Sequence, residues 1–129
     1  MTIHQELTLH CSKDKVFSAL TDSTIFAEFS GAPAVIDACV GGPFSCFNGM
    51  ISGVIVEIDP DNCLVQAWRA ATWEKHVYSI VSILLIRVSD QETTLVFEHK
   101  GYPEDQKEHL CIGWHERYWK PMTKYVEGD

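Results

Sequence analysis

The sequence predicts an α+β domain in which a curved antiparallel sheet of about six or seven strands wraps around a long C-terminal helix, with two short helices after the first strand. Three features carry that expectation. Residues 2–9 alternate between polar and apolar, the period of a half-buried strand. Residues 41–79 run as short apolar stretches punctuated by Gly41-Gly42, Asn48-Gly49 and Asp59-Pro60-Asp61-Asn62, as antiparallel strands joined by tight turns require. Near the C-terminus, Leu110, Trp114, Tyr118, Met122 and Tyr125 recur every three or four residues, the stripe of one amphipathic helix.

In the first strand Ile3, Gln5, Leu7 and Leu9 share one face, with Gln5 the polar exception, and His4, Glu6, Thr8 and His10 share the other. Ser12 offers an N-cap oxygen, and Asp14 places a negative charge where the helix dipole favours it. The helix that follows buries Val16, Phe17, Ala19 and Leu20. Asp22 caps a second helix carrying Ile25, Phe26 and Phe29, which Gly31 and Pro33 end.

Residues 34–40 read as a strand turning at Gly41-Gly42, a two-residue hairpin, into Pro43 at a strand start or edge. Residues 44–47 and 50–58 form the next pair, with Gly53 marking a bend or close approach in mid-strand. Asp59-Pro60-Asp61-Asn62 fits a type I turn with proline second. Strands at 63–71, 78–88 and 93–100 follow. The apolar-rich run 77–88 contains Ser79, Ser82 and Arg87 and reads as a buried strand, short of the ~18 continuous apolar residues of a membrane span. Gly101-Tyr102-Pro103 breaks the last strand, and Glu104 and Asp105 open the long helix. Gly113 lowers its propensity and Pro121 kinks its last turns.

All 129 residues are accounted for by one domain, without repeat or linker. The formal net charge of −8 excludes the basic footprint of nucleic-acid binding and the polybasic surface that anionic membranes attract. The N-terminus carries no apolar signal segment. Five cysteines (Cys11, Cys39, Cys46, Cys63, Cys111) lack framework spacing, so reduced thiols and a cytoplasmic location are expected.

Few residues carry the marks of catalysis. Cys111 and His115 stand four apart on the last helix near His109, but zinc needs three or four ligands and no CxxC or HExxH accompanies them; no metal or cofactor is expected. His10 and Cys11, like Glu98 and His99, are neighbours whose strand positions point them to opposite faces. Glu57 and Asp59 share a face beside a turn and read as a solvated rim. Neither a phosphate-binding glycine loop nor a GxSxG elbow is present, so no catalytic residues are assigned. The aromatics say more: Trp68, Trp73, Trp114, Tyr118 and Trp119 lie in two regions that the sheet and helix bring together.

Several of these segments also carry a resemblance: residues 41–69 (GGPFSCFNGMISGVIVEIDPDNCLVQAWR), Trp73, Tyr78-Ser79, Gly101-Tyr102-Pro103, Gly113-Trp114 and Tyr118-Trp119, with His10-Cys11-Ser12, Leu20-Thr21-Asp22 and Ala32-Pro33-Ala34 upstream. In that order they resemble the START-like helix-grip superfamily and, more closely, the carboxy-terminal domain of activators of the ninety-kilodalton heat-shock chaperone's ATPase. The resemblance implies a helix-grip fold and a non-enzymatic co-chaperone-like module that binds the chaperone and favours its closed, ATPase-active state. Full-length members place a further amino-terminal domain before this one for the main chaperone contact; 129 residues hold only the one domain, so strong stimulation by this chain alone is not expected. The alternative is a START-like binder of a small apolar ligand between sheet and helix, with Phe44, Trp68, Trp114, Tyr118 and Met122 as cavity candidates.

Overall fold

A computed structural model describes residues 2–128. Strand β1 (Thr2–Leu9) leads into α1 (Lys13–Thr21) and α2 (Ser23–Ser30). Then come β2 (Val35–Ile36), β3 (Pro43–Cys46), β4 (Ile51–Asp59), β5 (Cys63–Ala70), β6 (Ser79–Ser89) and β7 (Glu92–Lys100), and one long helical segment. The strands form a single curved sheet in the order β1-β7-β6-β5-β4-β3-β2, antiparallel at every pairing. This is the predicted helix-grip arrangement.

The alternation in β1 buries Ile3 and Leu9 and leaves His4, Glu6 and Thr8 in solvent. Gln5 belongs on the inner face because its Oε1 accepts a hydrogen bond from Trp119 Nε1 at 2.7 Å. Helix α1 buries Val16, Phe17, Ala19 and Leu20. Ser12 occupies its N-cap position, but the hydroxyl caps no backbone N–H. At α2 the predicted cap is made: Asp22 Oδ1 accepts from the Ile25 N–H at 3.0 Å.

Three turn-level expectations change. The strand expected at 34–40 shrinks to Val35–Ile36, and no two-residue hairpin forms at Gly41-Gly42. Instead the Asp37 N–H donates to the Pro43 carbonyl at 3.0 Å and the Gly41 N–H to that of Ile55 at 2.8 Å, closing a longer loop. Gly42 is required there by space, since a Cβ would fall 2.0 Å from the Asp37 carbonyl oxygen. Asp61 has a φ of 67°, which a type I turn excludes and a type II turn demands of its third residue.

Mid-strand Gly53 marks a close approach, as expected. An added Cβ would meet the Ala67 carbonyl oxygen at 1.8 Å and Phe44 Cζ at 2.8 Å. In β6 the inward Ser79, Val81, Ile83 and Leu85 are buried, but the outward Ile80, Leu84, Ile86 and Val88 are 40%, 44%, 46% and 52% exposed. The apolar run thus belongs to a strand buried on one face only.

The long helix runs through a 3₁₀ turn (Glu104–Gln106), α3 (Lys107–Gly113), a π-helical turn (Trp114–Trp119) and α4 (Lys120–Gly128). The departure from α geometry precedes Pro121: the Lys120 N–H reaches back five residues to the His115 carbonyl. Residues five apart on an α-helix point about 140° away from each other. In the widened turn, Trp114 and Trp119 instead stack at 5.3 Å with an interplanar angle of 23°. Leu110, Trp114, Tyr118, Trp119, Met122 and Val126 all face the core. Tyr125, expected in that stripe, is 40% exposed and donates its hydroxyl hydrogen to Glu28 Oε1 at 2.8 Å.

Candidate functional site

The concave side of the sheet and the π-helical turn enclose a dense aromatic interior. Trp68 on β5 lies 5.6 Å from Trp73 and 5.5 Å from Trp114. Trp114 packs on Tyr118 at 3.9 Å and on Phe97 at 4.3 Å. All four tryptophans are buried, so none is an exposed anchor.

At the centre is a residue that the sequence did not single out for this role. His99 is the last inward position of β7 and is fully buried. Trp114 Nε1 donates to its Nδ1 at 3.0 Å, and its Nε2 lies 2.7 Å from Ser79 Oγ, which in turn bonds the Trp68 carbonyl at 2.9 Å. An indole N–H only donates, so Nδ1 is the acceptor and the imidazole proton sits on Nε2. That proton goes to Ser79 Oγ, and the serine hydrogen to the Trp68 carbonyl. Burial pushes the imidazole down to about 4, so it is neutral at physiological pH. In a nucleophile–base pair the histidine accepts from the serine. Here it donates, and the triad ties β5, β6, β7 and the helix together without activating the hydroxyl. The available signal was strand parity: Thr93, Leu95 and Phe97 place His99 on the same inner face.

Beside this network, a cleft of about 510 Å³ opens between the start of the long helix and the ends of β4 and β5. Three of the five cavity candidates, Trp68, Trp114 and Tyr118, line it together with Phe47, Leu110 and Arg117. Phe44 and Met122 do not: Phe44 covers Gly53 and Met122 is fully buried in the core. Met50 and Ile112 stand exposed at the rim. Burial holds the Tyr118 hydroxyl well above the ordinary tyrosine range. Trp68 Nε1 lies beside that hydroxyl, which works against the shift, but not in hydrogen-bonding geometry; among the described residues it has no partner.

The other sequence candidates are dispersed. Cys11 is buried at the end of β1 and its thiol is pushed up by burial, with His10 pointing to solvent. His115 Nδ1 turns to Glu116 Oε2 at 2.8 Å, away from any joint site with Cys111. Among the described residues no group of three or more His, Cys, Asp or Glu side chains converges to hold a metal ion. Glu57 and Asp59 are exposed on the rim of β4. No helix among the described residues is long and apolar enough to cross a membrane.

Comparison with known proteins places this architecture. A sequence profile of the family described as activator of Hsp90 ATPase homolog 1-like protein matches residues 10–127. The chain is 26% identical over 127 residues to the activator of 90 kDa heat shock protein ATPase homolog 2 of Mus musculus, covering 98% of this chain and 38% of that protein. It is 26% identical over 117 residues to homolog 1 of Homo sapiens, covering 91% and 34%. The chain therefore spans little more than a third of these relatives. Among solved structures, an HSP90 activator from Plasmodium falciparum superposes with a TM-score of 0.91 at 26% identity, covering 99% of this chain and 96% of that one. A protein from Chromobacterium violaceum shares the fold, with a TM-score of 0.80 at 22% identity and coverage of 99% and 98%.

Proposed function

Because the chain belongs to the family of activator of Hsp90 ATPase homolog 1-like proteins, we propose that it is a non-enzymatic, co-chaperone-like domain that binds the 90 kDa heat shock protein and favours its closed, ATPase-active state. The observation that carries the reading is the end-to-end superposition on an HSP90 activator of nearly the same extent, 96% of which is covered. A solved chain of about this extent is thus described as an HSP90 activator. The interior supports the same reading. Its one serine–histidine contact has the polarity of a structural bond, and the imidazole is neutral and sealed from solvent. A non-enzymatic module acts on an ATPase by binding one conformation more tightly than another, which shifts the population without new chemistry. The five free cysteines suit a reducing compartment, and the proposal places the protein in the cytoplasm.

The test is the steady-state ATPase rate of the chaperone with increasing amounts of this protein. A saturable rise, weaker than that given by a full-length activator, is expected. A rate unchanged at saturating protein contradicts the proposal.

A second reading rests on the cleft: a small, mainly apolar ligand held against Trp68, Trp114 and Tyr118. Its volume of about 510 Å³ lies in the range of small-molecule sites. Titration with 1-anilinonaphthalene-8-sulfonate tests it: saturable binding with quenching of tryptophan emission is expected, and a linear, unsaturable response contradicts it.

A further inference from the structure

The strand β6 carries an apolar surplus that its own fold does not bury. Inward positions Ser79, Val81, Ile83 and Leu85 account for the core, yet the outward positions include Ile80, Leu84, Ile86 and Val88, each between 40% and 52% exposed. An antiparallel strand with one solvated face normally alternates apolar with polar residues. Here the sequence reads as a strand covered on both sides, and only one side is covered.

The strand register shows that these positions are part of a continuous surface. Ile80 pairs with Ala67, which pairs with Val54 across β5 and β4. Leu84 pairs with Cys63 on one side and Val96 on the other. An apolar band therefore crosses the centre of the sheet's outer face, and isolated exposed side chains do not account for it.

Charge identifies what can cover it. Glu57 and Asp59 stand on the β4 side of the band, at the register of Val65 and Cys63. Glu6 and Glu98 stand on the β1–β7 side, both against His4. Opposing cations are fewer: Lys100 stands at one end of the face, and Arg69 keeps its charge while bonding the carbonyls of Trp73, Glu74 and Val77. The His4 imidazole, its pKa raised by Glu6 and Glu98, offsets part of their charge. A second copy would set carboxylates against carboxylates on a chain of net charge −8. An anionic membrane is repelled for the same reason.

We infer that the outer face of the sheet, centred on Leu84 and Ile86, is the surface by which this domain docks on a protein partner, through apolar side chains ringed by lysine and arginine. Resting on the function proposed above, the inference assigns the contact with the 90 kDa heat shock protein to this face. Apolar side chains at the centre carry affinity, and the flanking carboxylates set orientation and association rate.

The test compares wild type with the double variant Leu84→Ser/Ile86→Ser and with Tyr125→Ser, an exposed aromatic residue on α4, on the opposite side of the sheet. Affinity for the chaperone is measured by calorimetry at low and raised salt, with circular dichroism to verify folding. A loss of about tenfold or more for the double variant, none for Tyr125→Ser, and weakening by salt are expected. Wild-type binding that the double variant retains overturns the docking face and leaves the co-chaperone reading intact. Absence of wild-type binding overturns both. If sedimentation shows a wild-type dimer that the double variant dissolves, a second copy covers the face and the basic partner is overturned.

Discussion

Replacing His99 with phenylalanine isolates the energetics of the buried triad. The ring volume is nearly kept, while the acceptor for Trp114 Nε1 and the donor to Ser79 are both removed. Near neutral pH the orphaned indole N–H costs about 1–3 kcal/mol. The acid side gives the sharper signal. Folding lowers the His99 pKa from its ordinary 6.5 to about 4, so between those values the unfolded chain binds a proton that the folded chain refuses. Stability then rises with pH: the contribution is complete above 6.5 and is lost as the pH falls through about 4. At ~1.4 kcal/mol per unit, the difference amounts to about 3 kcal/mol in wild type and vanishes in His99→Phe. Carboxylates titrate in both proteins and cancel in the comparison. Urea unfolding followed by tryptophan fluorescence should show wild type more stable at neutral pH and the two curves converging toward pH 4. Parallel pH profiles, offset by a constant, would refute the lowered pKa and the neutral state of the buried His99.

Three further perturbations probe the frame. Gly53→Ala places a methyl group against the Ala67 carbonyl and the Phe44 ring; a destabilisation of at least about 1–3 kcal/mol is expected by urea denaturation, and an unchanged midpoint contradicts the close approach. Asp22→Ala removes the cap on the Ile25 N–H and should cost about 1 kcal/mol, whereas Ser12→Ala, with no such bond, should cost less in the same assay. Burial pushes the Cys46 thiol up to about 12, while Cys39 is exposed. Mass spectrometry after iodoacetamide treatment of folded protein should find Cys39 alkylated and Cys46 protected until denaturant is added, and equal labelling would contradict the packing of β3.

The layers of this fold were legible because their signals are local. Ile3 and Leu9 on β1, or Asp22 before α2, state their roles within a few residues of themselves. The curved sheet follows from turn residues at regular spacing, but a Gly41-Gly42 pair does not by itself separate steric clearance from a tight hairpin, and Gly42 provides the former. The π-helical turn is hidden in the sequence because Leu110, Trp114, Tyr118 and Met122 keep a four-residue spacing that an α-helix also accommodates. Only the last step, Val126 inward and Tyr125 outward, shows the shift. The site was less visible. Trp68, Trp114 and Tyr118 were found as large aromatics on facing elements. His99 looked inert beside Glu98, since its importance comes from Trp114 and Ser79, 15 and 20 residues away in sequence. Phe44 and Met122 lie off the cleft because apolar character marks burial but not which side of the core a residue faces.

The most direct test of the account is a calorimetric titration of this protein into the purified 90 kDa heat shock protein, with and without a non-hydrolysable ATP analogue. A domain that favours the closed state binds the nucleotide-bound chaperone more tightly, by the same factor with which it shifts the closed population. Tighter binding with the analogue is the predicted result. Equal affinity in both states would contradict selection of the closed state, and no heat in either, at concentrations that report micromolar association, would contradict the co-chaperone reading as a whole.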